Sequence, residues 1–193
     1  MGTKPQGSYA KGVERRRDLL RIAAEVFAAE GFEGTTLKLV AERAGIKEAT
    51  LFHYFSGKQD LLTAVLADRD EQNSTRHGGS PGSLADFPGI AEHNERHPGL
   101  TALFAVASAT ATRPDHAAHD YFRNRYSWLL RTVGQDIAEA QARGEIRTDI
   151  APEDAARLIV GVFDGIQLQW LYDPDVSMPS ALADILRLLA VQA

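Results

Sequence analysis

The stretch VAERAGIKEATLFHYFSGKQDLL, Val40 to Leu62, constrains this chain more than any other part of it. Two apolar-periodic runs, each too short to persist as an isolated helix, meet at Ala44-Gly45, and an aromatic cluster, a glycine and a lysine follow at once. In the first run Leu37, Val40, Ala41 and Ala44 repeat at helical spacing, with Thr35-Thr36 ahead of them to supply the N-cap. Gly45 is the break. Ile46, Ala49, Leu51, Phe52 and Phe55 then form the inner side of a third, very short helix, leaving Lys47, Glu48, Thr50, His53 and Tyr54 mostly outward. Ser56 at an N-cap and Gln59 at N3 fit a capping box that opens a fourth helix through Leu61, Leu62, Val65 and Leu66. Upstream, Leu19, Ile22, Ala23, Val26 and Phe27 fall on one buried face of a helix from Gly12 to Glu30, which Gly31 ends. Two short helices joined at a glycine, the second with a polar outer face, make a helix-turn-helix: the first braces and the second lies in the major groove of DNA.

The rest of the chain also reads helical. Glycine, serine and proline replace any period over Ser74 to Ser83, the best candidate for a loop. Pro98 starts a helix through Leu100, Leu103, Phe104 and Ala107. A long helix from Asp115 to Arg143 carries Phe122, Tyr126, Leu129, Val133, Ile137 and Ala140 on one side and stops at Gly144. Pro152 begins another, with Ala155, Leu158, Ile159, Val162, Phe163, Ile166 and Trp170 inward, and Pro179 the last, with Leu182, Ile185, Leu186 and Leu189. No stretch alternates with period two. The expectation is therefore an all-α protein of about nine helices without strands. Residues 12–57 would form the helix-turn-helix head, preceded by a flexible basic arm at 1–11, and 58–193 the larger body, joined by a connecting helix at 58–73.

Charge separates the same two parts. The net charge of −5 looks wrong for a partner of nucleic acid, but residues 1–58 hold ten Lys/Arg against seven Asp/Glu, and 59–193 hold eleven against nineteen. A basic end on an acidic body suits a chain that meets a polyanion through one end only.

The run TTLKLVAERAGIKEATLFHYFSGKQDLL resembles the DNA-binding signature of the tetracycline-repressor (TetR) family, in which a threonine pair, an Ala-Gly turn, a Thr-Leu-aromatic run and a Ser-x-Lys follow in this order. The resemblance implies a homodimeric repressor of transcription, in a chain expected to be cytoplasmic because it shows neither a membrane-spanning run nor a signal-peptide core: a three-helix head on a double-stranded DNA operator, and an all-helical body that binds a small-molecule effector and dimerises. Carried onto this sequence, the DNA-binding residues are Thr36, which caps the second helix beside a phosphate, Lys38 in its first turn, Lys47, Glu48, Ala49 and Thr50 at the base-reading end of the recognition helix, then His53, Tyr54 and Lys58. Tyr54 is placed on a phosphate through its hydroxyl, and Lys58 on the DNA backbone. Phe52 and Phe55 are read as scaffold. Lys47-Glu48 departs from the Ser-Lys common in the family: Glu48 either accepts a hydrogen bond from cytosine N4 or is a solvated helix-end charge. Leu39 stands where an acidic residue is frequent. Lys11, Arg15, Arg16 and Arg17 either meet phosphates flanking the groove or are solvated on the first helix.

In the body the resemblance places Phe104, Phe122, Tyr126, Phe163, Gln167 and Trp170 around the effector, which these side chains suit if it is small and largely apolar. Gly161 and Gly165, four apart, form with Leu168 a stripe distinct from the Phe163 and Trp170 face. This stripe is assigned, with Leu182 and Leu186 of the last helix, to a dimer four-helix bundle. His93, His97, His116 and His119 complete no metal motif, and a chain without cysteine has no thiolate site. No phosphate-binding glycine loop and no nucleophile elbow is present, so neither a cofactor nor an enzymatic activity is expected. No apolar run reaches the roughly 20 residues of a membrane span. Two rivals remain: a DNA-binding regulator controlled by a protein partner or by no effector, and a small-molecule-binding protein or enzyme that keeps the head.

Overall fold

A computed structural model describes the backbone of residues 6–77 and 83–191, and side chains over 11–73 and 83–191. It falls into two compact units, Met1–Arg69 and Asp70–Ala193. The division lies inside a helix, within the segment 58–73 expected to connect head and body.

The first unit holds α1 (Gln6–Gly34), α2 (Leu37–Arg43), α3 (Glu48–Phe52) and the beginning of α4 (Lys58–His77). Helix α1 starts at Gln6, so residues 6–11, expected in a flexible arm, continue it; residues 1–5 lie outside the described ones. Its path breaks at Gly31, whose φ of 69° is open to glycine at no steric cost. Thr35 Oγ1 donates to Gly31 O at 2.7 Å and takes up one carbonyl of that broken end. Leu19, Ala23, Val26 and Phe27 of α1 are buried with Val40, Ala41, Leu51 and Phe55, so the helical period of the sequence is the packing pattern of the head. Each of the larger buried side chains, Leu, Val and Phe, contributes about 1.5–3 kcal/mol over its exposed state. The turn between α2 and α3 is a Schellman motif: Ile46 N–H donates to Ala41 O and Gly45 N–H to Glu42 O, with Gly45 at φ 64°.

The second unit contains the rest of α4, a 3-10 turn (Leu84–Asp86), α5 (Phe87–Glu95), α6 (Pro98–Thr110), α7 (His119–Ala142), α8 (Pro152–Tyr172) and α9 (Met178–Leu189). Of the loop expected over Ser74 to Ser83, residues 74–77 belong to α4 and 78–82 lie outside the described ones. Helices α7, α8, α9 and α5 enclose one core built on Val133, Ile137, Ala155, Ile159, Met178 and Leu182. Among the described residues there is no strand; a single antiparallel bridge, Ile146 with Ala190, ties the end of α9 to the loop after α7. No helix among them is long and apolar enough to cross a membrane.

Candidate nucleic-acid interface and effector region

In the head, α2 is fixed at its start by Thr36, whose Oγ1 accepts from Leu39 N–H at 3.1 Å, a cap worth about 1 kcal/mol. Lys38 projects from the first turn, 3.9 Å from Glu42 on the same face, with both side chains largely in solvent. The recognition helix α3 has no such cap: Lys47 stands at its N-cap without a side-chain bond, as the missing serine predicts. Instead Leu51 and Phe55, 0% and 1% exposed, anchor it from one side. That leaves Lys47, Glu48, Ala49 and His53 exposed, while Thr50 and Tyr54 are half-buried and the Tyr54 ring lies 6.4 Å from that of Phe55.

Two aromatic or basic residues stand differently from the sequence reading. Phe52 is not scaffold: 51% of it is exposed, on the outer face with Glu48 and Ala49. Lys58, expected on the DNA backbone, points its Nζ at the end of α1, donating to Phe32 O at 2.8 Å and Glu33 O at 3.4 Å while lying 4.3 Å over the Phe32 ring. It therefore satisfies carbonyls at the C-terminal end of α1, beyond which no helical donors follow. The box at the start of α4 is also shifted by one residue: Ser56 N–H and Oγ both bond Asp60 Oδ2, at 2.8 and 3.1 Å, and not Gln59. Arg16 is held over the Phe55 ring at 5.2 Å.

In the body the expected effector residues separate into two groups. Phe104 and Phe122 are buried with ring centroids 5.4 Å apart, and Tyr126 follows one turn on at 6.5 Å from Phe122. Phe163 packs instead on Phe87 at 5.1 Å and belongs with Trp170 to the α7–α8–α9 core. Gln167 is 2% exposed with both ends of its amide engaged: Oε1 accepts from Asn94 Nδ2 at 3.2 Å and Nε2 donates to Phe163 O at 3.1 Å. Its part is to join α8 to α5.

Sequence reasoning missed the charges among these rings. Arg125 Nε donates to Asp70 Oδ2 at 2.8 Å, Tyr121 OH donates to the same oxygen at 2.6 Å, and the guanidinium lies 4.8 Å over Phe104. Burial is the largest single influence and disfavours the Arg125 cation, but the charge and hydrogen bond of Asp70, with Tyr121 and the Asp164 charge, together outweigh it and hold the pKa above the ordinary value. Tyr126 OH donates to Asp164 Oδ2 at 2.7 Å. Burial first, then the Asp164 charge, pushes this phenol well above its usual range. The signal that would have found Arg125 is its place on the inward stripe of α7, three residues after Phe122 and four before Leu129.

The expected dimer residues also divide. Gly161 is exposed, no heavy atom lies within 4 Å of where a Cβ would stand on Gly161 or Gly165, and Leu168 is 50% exposed, as is Leu158, expected to face inward. Leu182 is corrected: at 1% exposure it belongs to the chain's own core and offers no surface, and Leu186 packs half-buried against that core. Among the described residues no group of three or more His, Asp or Glu could hold a metal ion.

The profile of bacterial regulatory proteins of the tetR family matches residues 19–65, and that of the BetI-type transcriptional repressor C-terminal domain matches residues 90–191. The HTH-type transcriptional repressor AcnR of Corynebacterium efficiens is 28% identical over 80% of this chain and 81% of its own length. A transcriptional regulator from Saccharomonospora viridis, solved in complex with choline, superposes with a TM-score of 0.76 at 20% identity, over 94% of this chain and 100% of that one. The repressor FadR of Thermus thermophilus, solved with lauroyl-CoA, gives 0.57 at 23% identity, over 93% and 97%. With both profiles falling on the helix-turn-helix and on the helical body that the structure separates, the chain belongs to the TetR family of transcriptional regulators.

Proposed function

We propose that this protein is a cytoplasmic homodimeric repressor that binds a palindromic operator through α3 and is released when a small, largely apolar molecule enters its body. The observation that carries the reading is the recognition helix itself: it is anchored through the buried Leu51 and Phe55 and presents Lys47, Glu48, Ala49 and His53 to solvent. Lys38 and the capped start of α2 at Thr36 supply phosphate contacts, where the N-terminal N–H groups favour an anion. Thr50 and Tyr54 line the edge of that face, with Lys58 acting mainly as scaffold.

Dimerisation through the Leu158, Gly161, Gly165 and Leu168 stripe of α8, with α9, covers an apolar face that the single chain leaves open, and the glycines let two helices approach closely. A two-fold dimer sets its recognition helices about 34–36 Å apart, one turn of DNA. An effector needs only unequal affinity for the DNA-binding spacing and another one to control binding. The relatives' ligands, a small cation in one and an acyl thioester in another, leave the effector class to this chain's own residues. Phe104, Phe122 and Tyr126 around a charge-paired Arg125 favour a molecule with an apolar body and one polar end.

The test is fluorescence anisotropy of the purified protein on DNA flanking its own coding region and on a shuffled duplex, across a salt series. Sequence-dependent binding whose logarithm falls by several units per decade of salt is the expected result. Absence of binding to either duplex by folded protein, stripped of ligand by denaturation and refolding, overturns the proposal.

A further inference from the structure

On the outer face of the head, one side chain does not match its surroundings. Phe52 closes α3 with half its surface in water, although the neighbouring Leu51 and Phe55 show that this short helix has a core to turn into. Around it Glu48, four residues earlier, Ala49, three earlier, and His53 are all exposed. Positions three and four apart are neighbours on a helix surface, so Ala49 and Phe52 form a continuous apolar strip with a carboxylate on one side and an imidazole on the other.

A phenyl ring has no donor for a phosphate oxygen and no group that pairs with a polar base edge. In the major groove one feature of the bases rewards apolar contact, the C5-methyl of thymine. We propose that Phe52, with Ala49 beside it, reads a thymine methyl in each operator half-site. The inference rests on the reading of α3 as the helix that enters the groove. It assigns the strip a base preference that neither the polar residues nor the phosphate contacts supply. Water leaves both the ring and the methyl when they meet, so the contact favours T·A over C·G at that pair, where cytosine offers an amino group instead. Glu48 complements it: its carboxylate suits the cytosine N4 amino group at an adjoining position. Together the two side chains address the pyrimidine edge, one through an apolar group and one through a donor.

The test begins with the full-length protein and a random duplex library, from which the preferred site is selected. Each thymine of that site is then replaced singly by deoxyuridine, which removes the C5-methyl and keeps the pairing. Anisotropy compares the wild type with Phe52→Ala and Phe52→Leu. The expected result is one position per half-site where deoxyuridine weakens the wild type about fourfold, the equilibrium effect of exposing one methyl-sized apolar group. There Phe52→Ala binds both duplexes equally, and Phe52→Leu keeps part of the difference. Because Phe52 takes no part in the core, both variants are expected to keep the wild-type unfolding transition; if Phe52→Ala does not, Phe52→Leu alone decides. Deoxyuridine effects that are the same in wild type and variants, or absent at every thymine, overturn the inference while leaving the regulator reading intact. Failure of the library to yield any preferred site overturns that reading first, and this inference with it.

Discussion

Replacing Lys58 by Met separates two roles for one charge. Met keeps the unbranched stem and removes the ammonium, which donates to Phe32 O at 2.8 Å and Glu33 O at 3.4 Å and covers the Phe32 ring at 4.3 Å. A hydrogen bond from a charged group is worth about 1.5–3 kcal/mol net, and a cation over a ring about 0.5–1 kcal/mol at a wet site. Lys58 is half-buried, so the lower end applies and the substitution costs about 2 kcal/mol. For a chain of this size that lowers Tm by about 4–8 °C. Had Lys58 gripped a phosphate instead, its loss would reduce the slope of log K against log salt by about 0.9 per protomer. Two measurements therefore decide: thermal unfolding of the free protein and the salt dependence of operator binding. The structure requires a lower transition with an unchanged slope. A wild-type transition together with a reduced slope refutes the account of Lys58 as a clamp on the end of α1.

Three further outcomes follow from the body. Arg125→Met leaves the Asp70 carboxylate, 23% exposed, without its guanidinium, at a cost of about 2–3 kcal/mol, below the range for a wholly buried pair; urea unfolding of this variant, Asp70→Asn and the double variant should show strong coupling, and simple additivity would contradict the pairing. The Tyr126 phenol stays protonated in the native state where the unfolded chain releases its proton, so stability is complete below pH 10 and declines above it by up to about 1.4 kcal/mol per pH unit. Tyr126→Phe should flatten this alkaline decline, seen in unfolding series from pH 8 to 11, and an identical decline in both proteins would count against the Asp164 bond. Gly161→Leu meets open space within the chain and replaces a helical glycine, so it should leave the protomer at least as stable, by about 1 kcal/mol, while weakening the dimer in sedimentation; an unaffected dimer would remove α8 from the interface.

The head was legible because its signals are local. The Leu37 to Ala44 period, the φ-positive turn at Gly45 and the Thr36 cap each act within a few residues, and the structure has them where the pattern puts them. Phasing failed where a helix is too short to define its own faces: in the five residues of α3, Leu51 sets the inner side and Phe52, 100° around, could be assigned to either. Ser56 chose Asp60 over Gln59 for a similar reason, since helix starts one residue apart fit the same letters. Tertiary partners were out of reach. Nothing near Arg125 in the chain announces Asp70, and the apolar spacing of Leu182 is the same whether it is covered by its own core or by another copy. Leu168 and Gly161 could be separated from the core because small residues interrupt an otherwise large-residue stripe.

The construction of α3 has a consequence for how such a regulator acquires new targets. The bend that presents this helix is closed by main-chain bonds at Gly45 and Ile46, and its hold on the head comes from Leu51 and Phe55. Glu48, Ala49, Phe52 and His53 are exposed and lie outside the buried core of the head. Substitutions at these four sites are therefore nearly free of a stability penalty, so a duplicated copy can drift through many base preferences without passing through unfolded intermediates. The same separation makes these positions a natural set for randomisation: a library confined to them samples DNA recognition while every member keeps the same scaffold.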